Sequence, residues 1–171
     1  MRPPQREKVY IYGKHALMEA LTSAPHVIRK VFLSRETSTS EPELAKLLAK
    51  HKISVEMMKG PRDAGRMVGD ETAHQGVIAV ADPNELLVDF KSFIAALKPT
   101  ERTMLVLLDE LTDPHNVGAI IRSAAAFGAS GVLMPSHNQA PVTGAVVKAS
   151  AGMVFRVPIV AIGNVNTPST P

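Results

Sequence analysis

Hydrophobic positions along the 171 residues switch repeatedly between strand-like and helix-like spacing. An apolar run at 9–12 predicts a strand, and Gly13 separates it from a helix over 14–23. Residues 27–33 read as a second strand, with Arg29 and Lys30 breaking its apolar run. The polar stretch 34–40 predicts a loop. A helix over 41–51 carries Leu44, Leu47 and Leu48 on one face. A strand at 53–57, a short helix at 61–68 and a strand at 76–81 follow. Such strand–helix alternation predicts a compact α/β/α layer domain over 9–81, after a basic disordered lead at 1–8. Residues 82–102 hold Pro83 and Pro99 around one amphipathic helix, 89–97, and read as a linker.

The second half is more specific. Residues 104–108 are apolar and predict a buried strand, which Asp109 and Glu110 stop. The polar run Asp113-Pro114-His115-Asn116 turns the chain into a helix that reaches about Phe127. Gly128, Ala129 and Ser130 end that helix, and 131–134 read as another buried strand. The result is a βαβ unit with one polar turn at the carboxyl end of its first strand, where open α/β sheets bind ligands. Asn116 can cap the helix through its side-chain oxygen, and Asp113 is the competing cap with Pro114 at the first helical position. Val117, Ile120, Ile121 and Ala124 recur at helical spacing as a core stripe. Another face carries His115, Gly118, Ala119, Arg122 and Ala126, small apart from His115 and Arg122, so something can approach that backbone closely. Any single arginine is more often a surface side chain lying over its helix; the polar turn and the small-residue face weigh against that here.

Composition narrows the classes. With 45% apolar residues the chain has material for a core, and with no cysteine it has neither disulfides nor thiolate metal sites. The six histidines show no metal-ligand spacing. There is no dinucleotide glycine motif and no phosphate-cradling P-loop. No signal-peptide core follows the basic start and no run reaches bilayer length, which predicts a cytoplasmic protein. The net charge of +3 is uneven: residues 1–66 carry 13 Lys/Arg against 7 Asp/Glu, and the remainder 6 against 9. A basic half suits phosphate neutralisation and makes Arg29 and Lys30 candidate RNA contacts, although ordinary surface charge gives the same balance.

Two smaller constellations are compatible with the same chemistry. Gly13-Lys14-His15 places a flexible residue, a cation and an imidazole at a helix start, suited to a phosphate; on spacing alone the plainer reading, a helix start with solvated charge, leads. His74-Gln75-Gly76 is a polar turn before a strand, and His74 and Gln75 could read bases or sugar hydroxyls, with turn or capping roles as common. At 4% aromatics and no tryptophan, bases would not stack on an aromatic platform.

The segment DELTDPHNVGAIIRSAAAFGA, 109–129, resembles the first motif of the SpoU-type (TrmH-like) RNA ribose 2′-O-methyltransferases of the SPOUT superfamily. The resemblance continues through KASAGMVFRVPI at 148–159, and upstream VYIYGKHALMEAL at 9–21 and HQGVIAV at 74–80 resemble the family's amino-terminal RNA-substrate-binding domain. It implies a small α/β/α substrate domain followed, over 103–171, by a SPOUT α/β-knot catalytic domain. It also implies Asn116 and Arg122 as active-site residues, S-adenosylmethionine as cofactor, RNA as partner and a homodimer. The DPHN motif, the KASAG segment and the amino-terminal domain lean toward guanosine in 23S ribosomal RNA. Family members go on to a Gly-x-Glu-x-x-Gly segment and a Ser-Leu-Asn segment that build the knotted cofactor pocket. Here 161–171 reads AIGNVNTPSTP, so the resemblance implies an incomplete knot, truncated at the carboxy end. This chain alone is therefore expected to be inactive, not to bind the cofactor, and to self-associate weakly rather than dimerise tightly.

The chemistry that the resemblance implies is demanding. A ribose 2′-hydroxyl is a poor nucleophile, and its proton must leave as the methyl group arrives in line. By resemblance Arg122 would polarise or deprotonate that hydroxyl, with Asn116 orienting Arg122 or the substrate. An arginine pKa of roughly 12 or more opposes a base role, so hydrogen bonding is the less demanding one. Two other classes stay open: an RNA-binding module without catalysis, and an unrelated α/β nucleotide-binding protein. RNA and cofactor binding discriminate among them.

Overall fold

The computed structural model describes residues 8–69 and 73–163. All but the last residue of the basic lead at 1–8, and most of the segment 161–171, lie outside that range. The chain divides into two compact units between Asn84 and Glu85.

The first unit is a four-stranded sheet built from β1 (Val9–Tyr12), β2 (Ile28–Leu33), β3 (Ser54–Met57) and β4 (Val77–Ala81), in the order β1-β4-β2-β3. Strand β4 is antiparallel to both β1 and β2, and β3 lies parallel to β2 at the edge. Helix α1 (Lys14–Ser23) packs its buried Leu17, Ala20 and Leu21 with α3 (Pro42–Lys50), which buries Leu44 and Leu48. Helix α4 (Pro61–Val68) contacts β1. The sheet core is Ile11, Val31, Val77, Ile78 and Ala79, all essentially inaccessible.

One local expectation changes. The segment 34–40 is helical rather than a loop: α2 (Arg35–Ser40) starts at Ser34, whose hydroxyl accepts from the Thr37 N–H. A serine cap followed by Glu36 in the first turn is a helix-start signal that polar composition alone conceals. Arg29 lies inside β2, as the strand expected over 27–33 requires, and the added detail is a register shift with β4 between Ile28 and Lys30 that absorbs the charged residue as an irregularity.

The second unit is an all-parallel sheet of β5 (Leu87–Asp89), β6 (Leu105–Leu107), β7 (Gly131–Pro135) and β8 (Ile159–Ile162), ordered β5-β8-β7-β6. The expected linker 82–102 thus supplies β5 to this sheet, and the helix expected at 89–97 is α5 (Phe90–Ala96), capped by Asp89 through the Ser92 N–H. Helix α6 (Pro114–Ala126) makes the β6-to-β7 crossover predicted from sequence, and α7 (Gly144–Ala149) with a 3-10 turn at Met153–Phe155 makes the next. Val117, Ile121, Val132, Val146, Val154, Ile159 and Val160 form the core. The strand expected as buried at 104–108 is β6, and it is an edge: Leu105 and Leu107 are 38% and 48% exposed. A short apolar run does not reveal whether a second neighbour covers it.

Candidate functional site

In the second unit, β6, β7 and β8 run parallel, so the segments that follow them, 108–113, 136–143 and Gly163, gather at one edge of the sheet. The polar turn of 109–113 is pinned there. The Leu111 N–H donates to Gln139 Oε1 at 3.1 Å, and the Ala140 N–H donates to the Leu111 carbonyl at 2.8 Å. Glu110 adopts a left-handed φ of 51°, which turns the chain sharply out of β6. Of the two candidate caps for α6 the structure selects Asp113, whose Oδ1 accepts from the His115 N–H at 2.9 Å. Pro114 then occupies the first helical position, where its missing N–H costs nothing. Asn116 is left free of capping, and it lies exposed in the first turn of α6.

Arg122 is also exposed, and no ion pair or hydrogen bond to its side chain occurs among the described residues. No hydrogen bond joins Asn116 to Arg122, so the two project separately from one helix. The small-residue face has a structural occupant: α7 packs there. A Cβ placed on Gly118 would lie 2.5 Å from Ala149 Cβ and 2.9 Å from Ser150 N. Gly118 is accordingly buried, whereas Ile120, expected in the core stripe, is only half-buried.

In the first unit the carboxyl ends of β1, β2 and β3 and the amino end of β4 share one edge. Gly13, Lys14, His74 and Gln75 meet there, with His15 exposed in the first turn of α1: the Lys14 N–H donates to Gln75 Oε1 at 3.3 Å, and the Gly13 N–H to the Val77 carbonyl at 3.3 Å. Lys14 Nζ pairs with Glu41 at 2.5 Å. Gln75 and Gly76 both have positive φ, 52° and 72°. Gly76 is required, because a Cβ there would lie 2.3 Å from Thr37 Oγ1 and 2.5 Å from Ser34 Oγ.

Arg29 and Lys30 do not join this cluster. They sit toward the opposite end of β2, where Arg29 bridges Asp82 at 3.3 Å and Lys30 pairs with Glu56 and lies 5.4 Å from the Phe32 ring centre. Burial works to raise the pKa of the Asp82 carboxyl, but the Asn84 N–H and the Arg29 guanidinium outweigh it and hold it below the usual carboxylate value. Sequence reasoning missed Ser34, Arg35 and Lys59, which stand at the same edge as His74; only strand order places them there.

Known families account for both units. Residues 103–168 match the SpoU rRNA methylase family model, and residues 10–87 match the model for the substrate-binding region of RNA 2′-O ribose methyltransferases. A protein of Staphylococcus saprophyticus described as a TrmH family tRNA/rRNA methyltransferase is 35% identical over 160 residues, which are 92% of this chain and 62% of that protein. The Pseudomonas putida 23S rRNA (guanosine-2′-O-)-methyltransferase RlmB is 36% identical over 158 residues, 90% of this chain and 61% of that one. The SpoU methyltransferase AviRb of Streptomyces viridochromogenes, solved in complex with AdoMet, superposes with a TM-score of 0.67 at 26% identity, covering 92% of this chain and 56% of AviRb. The chain belongs to the SpoU/TrmH family of RNA 2′-O-methyltransferases. It spans about three-fifths of the length of the curated relatives it matches.

The family implies S-adenosylmethionine. Among the described residues, the loops following β6, β7 and β8 offer one buried polar atom without a partner, Gln139 Nε2. One donor does not make the concave wall that an adenosyl and a methionine group need, so the residues described here do not by themselves fit the cofactor. No cluster of metal-ligating side chains occurs among the described residues, and no helix among them is long and apolar enough to cross a membrane.

Proposed function

We propose that this polypeptide supplies the RNA-binding unit and the hydroxyl side of the active site of an RNA ribose 2′-O-methyltransferase acting on ribosomal RNA, with guanosine of 23S RNA as the favoured target. The observation that carries the reading is the turn 109–116, pinned at the carboxyl edge of a parallel sheet, from which α6 presents an uncommitted Asn116 and an uncommitted Arg122. The description of the Pseudomonas putida relative as a 23S rRNA guanosine-2′-O-methyltransferase supports the choice of target.

In this reading Arg122 hydrogen-bonds the ribose 2′-hydroxyl or its neighbouring phosphate, and Asn116 orients the nucleotide. A guanidinium with a pKa of roughly 12 or above is a poor proton acceptor, so Arg122 acts by positioning and charge rather than as a free base. The first unit binds RNA through Lys14, His15, His74 and Gln75 at one end of its sheet, and through Arg29 and Lys30 toward the other. S-adenosylmethionine is the methyl donor by family, and no step through it is assigned to these residues. Residues 1–171 alone are expected neither to bind it appreciably nor to transfer methyl groups.

The test is a methyl-transfer assay on ribosomal RNA with the polypeptide 1–171 and with the same polypeptide extended by a relative's carboxy-terminal segment. Transfer by the extended protein alone is expected. Arg122→Ala in it should abolish transfer and leave RNA affinity nearly intact. RNA binding without transfer in either protein would favour the second reading, an RNA-binding module. Turnover by 1–171 alone would show that these residues already contain the donor site.

A further inference from the structure

The first unit contains a cleft of about 670 Å³ that none of the expected site residues except His74 lines. Its size falls within the roughly 300–1,000 Å³ of small-ligand sites. Met57, Met58 and Ala64 give it apolar surface, and Arg35, Lys59 and His74 give it polar groups. Met57 is 41% exposed, an open apolar surface that the fold itself does not use.

Three features define what would fit. Arg35 and Lys59 are exposed, and no ion pair to either side chain occurs among the described residues, unlike Lys14, Arg29 and Lys30, which each have an acid partner. The one nearby carboxylate that the hydrogen bonds reveal, Asp63, is turned to the backbone: its Oδ2 accepts from the Lys59 N–H at 2.9 Å and fixes the corner from which Lys59 projects. The third feature is the state of His74. Its Nδ1 accepts from the Gly76 N–H at 3.1 Å, so the neutral ring carries its proton on Nε2, a fixed donor. An apolar floor, two uncommitted cations and one oriented donor complement a flat heteroaromatic ring bearing acceptors and an attached phosphodiester. The thioethers and the guanidinium plane take the place of aromatic rings, which this chain has in only small number.

We propose that this cleft is the subsite for a single unpaired nucleotide of the RNA. Its base lies over Met57 and Met58, its edge accepts from His74 Nε2, and its phosphates lie against Arg35 and Lys59. This rests on the reading that the first unit binds RNA and adds what that unit recognises. A base within a continuous duplex presents only its groove edge, and only a splayed base can reach a concave floor. The subsite therefore selects bulges and loops over flush helices.

The test uses the whole chain and a labelled RNA hairpin in two forms, one with a single-nucleotide bulge and one fully paired, compared by fluorescence anisotropy at fixed low salt. The bulged form is expected to bind at least tenfold tighter, and an abasic bulge is expected to lose that advantage. Met57→Ala and Arg35→Ala change exposed residues, and circular dichroism checks their fold; each should bring the bulged-to-paired ratio to within about threefold. Arg29→Ala, toward the other end of β2, should lower both affinities and keep the ratio. Equal binding of the two hairpins by the wild type overturns the subsite while leaving RNA binding intact. A ratio unmoved by both cleft variants, or a free nucleoside monophosphate binding as tightly as the bulged hairpin, also overturns it. Absence of binding to either hairpin overturns both the subsite and the RNA reading.

Discussion

Replacing Gly118 by alanine separates two opposite expectations. On an isolated helix the change stabilises by about 1 kcal/mol, because glycine is the poorer helix former. In this fold the added methyl meets Ala149 Cβ at 2.5 Å, and Ser150 N and the Val146 carbonyl oxygen at 2.9 Å. Ordinary carbon contacts lie near 3.5–4.0 Å, so α6 and α7 must part by about 1 Å at their closest point. Two of the three atoms struck are backbone and cannot rotate away, which places the cost near the upper end of the roughly 1–3 kcal/mol typical of overpacking. Subtracting the propensity gain leaves a net loss of about 2 kcal/mol. Urea unfolding followed by far-UV circular dichroism measures it, and hydrogen exchange should place the loss in the amides of α6 and α7. Ala126→Gly, at the exposed last residue of the same helix, is the control and should cost less than about 1 kcal/mol, the propensity penalty of a helix interior. A Gly118→Ala protein as stable as wild type, or more so, would refute the close approach of the two helices.

Further outcomes are expected. Gly76→Ala should destabilise the first unit by about 2 kcal/mol or more, from positive φ and the approach of Ser34 and Thr37, read by fluorescence of Tyr10 and Tyr12 on β1 during urea unfolding. Asp113→Ala should cost about 1 kcal/mol by removing the cap of α6, measured by chemical denaturation. Asp82 and Asp89 both have carboxyl pKa values below the usual 3.8, Asp89 chiefly through the Ser92 N–H and hydroxyl. Their stabilisation is therefore full above that value and is lost as pH falls through the lower folded values; melting temperature across this acid range should fall less steeply in the Asp82→Asn, Asp89→Asn double variant. Met104, Leu105, Leu107 and the 81% exposed Phe127 should drive weak self-association, visible by light scattering and reduced by Leu105→Lys with Leu107→Lys.

Sequence alone determined the elements whose signals are local. Gly13 between apolar 9–12 and the helix behind it, Pro61 opening α4, and the DPHN turn before a 3.6-period stripe each set an element start through backbone stereochemistry. The motif residues also placed the chain in its family, because Asn116 and Arg122 stand in one ungapped segment. What depended on neighbours distant in sequence was decided only by the tertiary structure. Nothing in 104–108 says that β6 is left at an edge, and nothing in the small-residue face of α6 says that α7, rather than a ligand, lies on Gly118. The basic half likewise reads as one patch in sequence, whereas antiparallel β4 draws Lys14, His74 and Gln75 to one end of the sheet and leaves Arg29 and Lys30, with their acid partners, toward the other. Strand order brings Arg35 and Lys59 beside His74 from 39 and 15 residues away along the chain. Burial and proximity are properties of pairs, and local periodicity records only one member of each pair.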